Sequence, residues 1–296
     1  MHTDDMTGST LKNIFSPFDA ALAAAFTRSI EAAIAEDVGT GDLTGLLVPA
    51  DALVQARVIV REQAVLCGAP WFEAVMQRID SRIRIVWRYA EGDLMAADTE
   101  VCAIAAPARG LLTAERTALN FLQLLSGVAT ATRRYVDVVA GTKAAILDTR
   151  KTLPGLRLAQ KYAVRVGGGA NQRLALYDGI LIKENHIAAA GGIAAAMQAA
   201  LALDSGATVQ VEVEDINELQ QALAAGAVSV LLDNFSLEAM REAVALTAGR
   251  ALLEASGGID MRTVRAIAET GVDRISIGSL TKDLHAADYS LRIVSG

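Results

Sequence analysis

From about residue 140 onward the chain repeats one unit six times: a short apolar run, then a helix-like segment. The runs lie at residues 144–147, 179–182, 209–213, 228–232, 251–253 and 274–277. Short buried strands that alternate with helices pair in parallel through right-handed crossovers. Units of roughly 20 to 30 residues fit a β/α barrel, which closes with eight strands. Six strands leave two architectures open on pattern alone, an incomplete barrel or an open doubly wound sheet.

Earlier residues read differently. Residues 20–35 have helical character and lead into a turn-rich stretch, Glu36-Asp37-Val38-Gly39-Thr40-Gly41-Asp42-Leu43-Thr44. Alternating runs at 54–61 and 82–89 predict strands, with a helix at 71–79 between them and a further strand at 100–105. Leu112, Leu119, Leu122 and Leu125 give residues 113–138 a helical period, with a break expected at Gly127. The pattern therefore predicts a mixed α+β domain over residues 1–118 and the parallel α/β domain over 119–284.

Composition sets the broad limits. The 296 residues are 52% hydrophobic, rich in alanine and poor in aromatics, and carry a net charge of -7. That balance favours a helix-rich α/β enzyme and disfavours nonspecific nucleic-acid binding, which needs a basic surface. Cys67 and Cys102 lie far apart and form no CxxC pair, and with three histidines they offer no zinc spacing. Two reduced thiols in a cytoplasmic protein are expected. Residues 1–16 are polar and acidic, so no signal peptide is expected there. Residues 187–203 are apolar but carry Gln198 and glycines; they predict an Ala-rich helix and no membrane span.

The main functional signal lies at the carboxyl end of each strand. In chain order the strand ends run into Asp148-Thr149-Arg150-Lys151, Lys183-Glu184-Asn185-His186, Glu212-Val213-Glu214-Asp215, Asp233-Asn234, Glu254 with Ser256-Gly257-Gly258, and Gly278-Ser279. Barrel enzymes place their active sites at this carboxyl face. The charges are also sorted. Arg150, Lys151, Arg173 and Lys183 come first and suit a ligand with several negative charges. Glu212 and Asp233 come later and suit ribose hydroxyls, a magnesium ion or a developing positive charge. Salt bridges around a barrel rim are the bland alternative. Ser256-Gly257-Gly258 and Gly278-Ser279 predict a phosphate site using backbone amides at a helix N-terminus. Gly167-Gly168-Gly169 reads as a helix end or as a close approach to an anion.

Several strings are distinctive. Asp148-Thr149-Arg150-Lys151-Thr152-Leu153-Pro154-Gly155-Leu156-Arg157, Lys161-Tyr162-Ala163-Val164, Gly167-Gly168-Gly169-Ala170-Asn171 and Leu181-Ile182-Lys183-Glu184-Asn185-His186 resemble the quinolinate phosphoribosyltransferase family. So do Glu36-Asp37-Val38-Gly39, Gly41-Asp42-Leu43-Thr44, Arg61-Glu62, Leu66-Cys67-Gly68, Glu115-Arg116-Thr117-Ala118-Leu119-Asn120 and Leu231-Leu232-Asp233-Asn234-Phe235. The likeness runs in order from about residue 30 to the end.

The resemblance implies an N-terminal α/β sandwich domain beside an open, incomplete β/α barrel, with a last helix over 285–296 returning to the first domain. It implies a homodimer in which Arg116 reaches the partner's site. Arg150, Arg173 and Lys183 would bind quinolinate, with Lys151 between the two substrates. Glu212 and Asp233 would face the ribose, and Ser256, Gly257, Gly258 and Gly278 the 5′-phosphate. The co-substrate would be phosphoribosyl pyrophosphate with Mg2+, with Glu212 and Asp233 as metal-side carboxylates, and the products nicotinate mononucleotide, pyrophosphate and CO2, a step of NAD biosynthesis.

One departure stands out. Gln172 takes the place of a family histidine before Arg173, and Ala175 that of a glycine. Glutamine donates hydrogen bonds but carries no positive charge, so weaker dicarboxylate binding is expected. Transfer to a monocarboxylate such as nicotinate, without decarboxylation, is the alternative activity. A Schiff-base lyase built on Lys183 and a non-catalytic binder of phosphorylated ligands are the readings from other classes.

Overall fold

The computed structural model describes residues 18–295, so the stretch expected to lack a signal peptide lies outside the described residues. The chain forms two compact units. The first extends to Ala131 and takes up Pro154–Gly167 and the chain from Asp283 on; the second comprises Thr132–Leu153 and Gly168–Lys282.

Unit 1 begins with α1 (Ala20–Asp37), capped by Asp19, whose carboxylate accepts from the Leu22 amide at 2.8 Å. Next in the chain are β1 (Leu53–Val60), β2 (Ala64–Val65), α2 (Ala69–Ile79), β3 (Arg84–Trp87), β4 (Leu94–Met95), β5 (Thr99–Pro107) and the long α3 (Ala108–Val138). In β1 the residues Val54, Ala56, Val58 and Val60 are buried and most of their neighbours are not, the signature of a sheet with one packed face. β5 pairs with it antiparallel, and β3 with β5. Apolar residues of α2, among them Trp71, Phe72, Val75 and Met76, fill the core.

Two expectations for this unit are corrected. The segment after Asp288, expected to be helical, is a strand that pairs antiparallel with β1, Val60 opposite Tyr289 and Val58 opposite Leu291. Its apolar residues fall at Tyr289, Leu291 and Ile293, a period of two. α3 also runs unbroken through Gly127, where a Cβ would collide with the His285 carbonyl. The glycine admits a close neighbour and leaves the helix intact. The domain edge expected between residues 118 and 119 falls inside α3.

Unit 2 carries β6 (Ala145–Leu147), after which α4 (Arg157–Val166) belongs to unit 1. Then come β7 (Gly179–Ile182), α5 (Glu184–Ala190), α6 (Ile193–Ala202), β8 (Thr208–Val213), α7 (Ile216–Ala224), β9 (Ser229–Asp233), α8 (Leu237–Thr247), β10 (Leu252–Ser256), α9 (Val264–Ala268), β11 (Arg274–Ser276) and α10 (Ser279–Lys282). The single helix expected over 187–203 is split at Gly191 and Gly192, both at positive φ. The final strand, β12 (Tyr289–Ser295), completes the unit 1 sheet. Among the described residues no helix is long and apolar enough to cross a membrane.

The six strands of unit 2 are parallel in the order β6-β11-β10-β9-β8-β7, an open barrel. Register decides which side chains face each other. Leu181 sits beside Gln210, Glu212 beside Leu231, Leu231 beside Glu254, and Ser276 beside Leu147. Side-by-side residues of a sheet point the same way. One face therefore holds Val211, Val213, Val230, Leu232, Leu253, Ala255 and Ile275, all buried. The opposite face carries the polar residues.

Candidate active site

Alternation by two along each strand stacks that polar face into layers. At the carboxyl ends of the six strands, or one or two residues beyond them, stand Thr149, Lys183, Glu212, Asp233, Ser256 and Gly278, with Asp233 beside Ser256 in register. Two residues earlier along each strand lie Leu147, Leu181, Gln210, Leu231, Glu254 and Ser276, on the same face. The sequence-predicted rim residues thus form one ring, and its floor mixes aliphatic with polar side chains.

Lys183 donates to both carboxylate oxygens of Glu212, at 3.1 and 2.8 Å. The Glu212 side chain is only 11% exposed, so the pair is more than a solvated rim contact. The Lys183 backbone is set by the next turn: its amide donates to His186 Nδ1 at 3.1 Å as α5 begins. Arg173 donates through Nη1 to the Gly179 carbonyl at 3.0 Å, and its buried Nε has no hydrogen-bond partner. Burial and the nearby Arg150 guanidinium push Arg173 below the usual arginine range, and Glu212 opposes them. Arg150, Arg173, Lys183 and Glu212 are therefore electrostatically one cluster. Arg173 also walls a cavity of ≈ 330 Å³ together with Leu176, Gly179, Ile182 and His186.

Residues 170–173 span the gap between the two edge strands. Ala170 bridges to β6, its amide donating to the Ile146 carbonyl at 2.8 Å. Beyond it, Asp148 accepts from Asn171 Nδ2 at 2.6 Å and from the Gln172 amide at 3.0 Å. The Gln172 side chain then crosses to β8, Nε2 donating to Gln210 Oε1 at 3.1 Å. Gln210 Nε2 in turn donates to Glu254 Oε2 at 2.9 Å. Burial raises the Glu254 carboxyl, while the bond from Gln210, the nearby Ser276 hydroxyl and the charge of Arg274 lower it; Asp148 adds to the rise.

On the other side, Asn234 holds a left-handed backbone at φ 56. Its amide donates to the Ser256 carbonyl at 3.0 Å and its side chain to Asp233 Oδ2 at 2.9 Å. Gly257, at φ 104, has no room for a Cβ against the Asn234 side chain. Gly278 is covered by Lys151: a Cβ there would lie 3.0 Å from Lys151 Cδ. The Lys151 carbonyl accepts from Thr281 at 2.7 Å, which ties the two loops together.

Some expectations need revision. α9 starts at Val264, so Ser256-Gly257-Gly258 does not open directly onto a helix N-terminus, and its amides must serve from the loop itself. Asp215, one of the strand-end charges, is the cap of α7, accepting from the Glu218 amide at 2.8 Å. The strand pattern alone misses Gln210 and Glu254 as a connected floor; their position two residues before Glu212 and Ser256 is the signal it offers. Arg116 lies on α3 in unit 1, lining a cavity of ≈ 350 Å³ with Asp37, Asp42, Leu43 and Leu112. Among the described residues no group of three or more His, Cys, Asp or Glu is arranged to hold a metal.

The model for the quinolinate phosphoribosyl transferase C-terminal domain matches residues 128–292, and that for its N-terminal domain residues 40–126. The chain belongs to the quinolinate phosphoribosyltransferase family. A probable nicotinate-nucleotide pyrophosphorylase [carboxylating] of Bacillus subtilis (strain 168) is 38% identical over 259 residues, 87% of this chain and 90% of that protein. The nicotinate-nucleotide pyrophosphorylase [carboxylating] of Mycobacterium leprae (strain TN) is 41% identical, covering 89% of this chain and 95% of that one. A solved nicotinate-nucleotide pyrophosphorylase from Francisella tularensis superposes with a TM-score of 0.89 at 47% identity, covering 91% of this chain and 96% of that one. Both domains of the family are thus present, with the strand-end ring inside the C-terminal one.

Proposed function

We propose that the chain transfers the phosphoribosyl group of phosphoribosyl pyrophosphate to quinolinate and releases pyrophosphate and CO2, forming nicotinate mononucleotide for NAD biosynthesis. The observation that carries this reading is the cluster of Arg150, Arg173 and Lys183 with Glu212 at the strand carboxyl ends, where Asp233 also ends its strand. Family membership and the carboxylating relatives supply the reaction.

The chemistry suits these groups. The pyridine nitrogen attacks the ribose C1 with its own lone pair, and the C1–oxygen bond to pyrophosphate breaks, so no general base is needed. Positioning and electrostatic stabilisation of an oxocarbenium-like ribose are the main requirements. The bond to the adjacent carboxylate then breaks, its electron pair held beside the pyridinium nitrogen until that carbon takes a proton. Arg150, Arg173, Lys183 and Gln172 would bind the dicarboxylate, and Lys151, lying over Gly278, would sit between the substrates. Glu212 and Asp233 would face the ribose hydroxyls. Amides of Ser256, Gly257, Gly258 and Gly278 would take the 5′-phosphate.

Magnesium belongs to the same reading. Glu212 and Asp233 would hold such an ion, directly or through water, and it would supply neutralisation of the charge on departing pyrophosphate. A homodimer is also part of it, with Arg116 serving the second copy. Leu43, Leu46 and Leu47 stand exposed in one short segment, and Leu43 lines the same cavity as Arg116, as a protein-binding surface requires. The free, buried Cys67 and Cys102 fit a reducing cytoplasm.

The test is release of pyrophosphate and CO2 on mixing the protein with quinolinate, phosphoribosyl pyrophosphate and magnesium, with nicotinate as the parallel base. Both products from quinolinate are expected. Pyrophosphate from nicotinate alone would instead establish the monocarboxylate activity, which the neutral Gln172 favours.

A further inference from the structure

The floor of the ring holds polar groups that the proposed reaction does not use. Gln210 and Glu254 are 7% and 1% exposed, and they connect directly to Gln172. An amide side chain has two nearly isosteric ends of opposite hydrogen-bonding sense, so shape alone does not decide which end Gln172 presents. The connectivity decides it. Glu254 Oε2 accepts, so Gln210 turns Nε2 toward it. Its Oε1 is left for Gln172, which must answer with Nε2. One buried carboxylate orients two amides in series.

We propose that Glu254 is a positioning residue for the aromatic acid: acting through Gln210, it holds Gln172 Nε2 by one hydrogen and so fixes the donor whose second hydrogen serves a pyridine carboxylate. This rests on the proposed transferase function. Glu254 Oε1 has no hydrogen-bond partner although it is buried. Leaving such an acceptor unmet costs about 1–3 kcal/mol, and a purely structural position would more cheaply hold an aliphatic residue like its neighbour Leu231. The same floor holds Ser276 and Arg274 from β11, and Asp148 comes directly after β6, so the carboxylate sits among donors and charges of a built polar network.

The experiment compares the full-length wild type with E254Q, an isosteric change that lets Gln210 turn either way, reading KM for each substrate and kcat from pyrophosphate release. The quinolinate KM is expected to rise by about fivefold to tenfold, the effect of one misdirected buried hydrogen bond. The KM for phosphoribosyl pyrophosphate and kcat should stay within about twofold, since the network reaches only the aromatic-acid side. In a Q172L background, E254Q should add nothing further. Equal losses for both substrates, or an effect of E254Q that persists in Q172L, would overturn the proposal in favour of a structural role. Should E254Q fail to fold, Q210M leaves Glu254 in place, severs the relay and faces the same criteria. A wild type that releases no pyrophosphate from quinolinate overturns the function and this inference together. An active wild type whose E254Q or Q210M variant keeps the wild-type quinolinate KM overturns this inference alone.

Discussion

Lys183 holds both carboxylate oxygens of Glu212, one residue from each of two neighbouring strands, at the lip of the ring. In the proposed reaction these two side chains face different substrates, the lysine a carboxylate of the acid and the glutamate the ribose. Each therefore sets the other's charge environment before either substrate arrives. Lys183→Met should raise the quinolinate KM by roughly tenfold to a hundredfold, the worth of a charged hydrogen bond. It should also shift the KM for phosphoribosyl pyrophosphate, because Glu212 loses its partner. Steady-state kinetics with both substrates varied would check this, and an unchanged phosphoribosyl pyrophosphate KM would show that the pair is not coupled.

Gln172→His should tighten quinolinate binding by several-fold with little change in kcat. An imidazole Nε2–H can keep the bond to Gln210 Oε1 and, when protonated, adds a positive charge that glutamine lacks. The gain should be largest at acidic pH, where the imidazolium is populated. Quinolinate KM measured across pH is the readout, and a variant slower than wild type would remove the electrostatic account of this position.

Gly257→Ala should weaken phosphoribosyl pyrophosphate binding and lower stability by about 1–3 kcal/mol, through overpacking against Asn234 and a backbone angle unsuited to an L residue. Quinolinate affinity should change less. Thermal denaturation and the two Michaelis constants separate these effects.

Glu91 gives a pH signature in unit 1. Its carboxylate accepts from the Gly68 and Ala69 amides at the start of α2 and from the Tyr162 hydroxyl. Burial nevertheless raises it from 4.5 to about 7. A raised acid favours the protonated folded state, so its contribution is fully present below pH 4.5 and lost as pH rises through about 7. Relative to Glu91→Gln, the wild type should lose roughly 2–3 kcal/mol of stability between about pH 5 and pH 8. Denaturant unfolding of both proteins at the two pH values tests it; parallel curves would place the ionisation elsewhere.

Complementation tests the second copy. Arg116→Ala and Lys183→Met subunits, each strongly impaired alone when assayed at quinolinate below the wild-type KM, should recover about a quarter of wild-type activity when mixed in equal amounts and allowed to exchange, because half the dimers then carry one intact site. No recovery after demonstrated exchange would place Arg116 in its own chain's site or outside catalysis.

Much of this was legible in the sequence, for physical reasons. The six barrel strands announced themselves because parallel strands buried on the helix side need Val, Leu and Ile there, as at Val211, Val230 and Leu253. The residues of the rim came from the rule that strand carboxyl ends converge. Other features depended on contacts that no local pattern encodes. The last segment alternates at Tyr289, Leu291 and Ile293, yet its strand state depends on pairing with β1, more than two hundred residues earlier. Gly127 looked like a helix breaker because the chain it makes room for, at His285, is also far off in sequence. Gln210 and Glu254 sit inside apolar strands, where a single polar letter gives no hint that it is joined to another. Only the folded sheet brings the two side chains within hydrogen-bond reach.

Four consecutive residues, 170–173, fasten one margin of the sheet to the other and also include the amide and guanidinium that would meet the aromatic acid. Scaffold and recognition are thus written in the same short stretch of chain. Attempts to retune this protein for a different base by altering Gln172 or Arg173 will meet a mechanical penalty along with the chemical one.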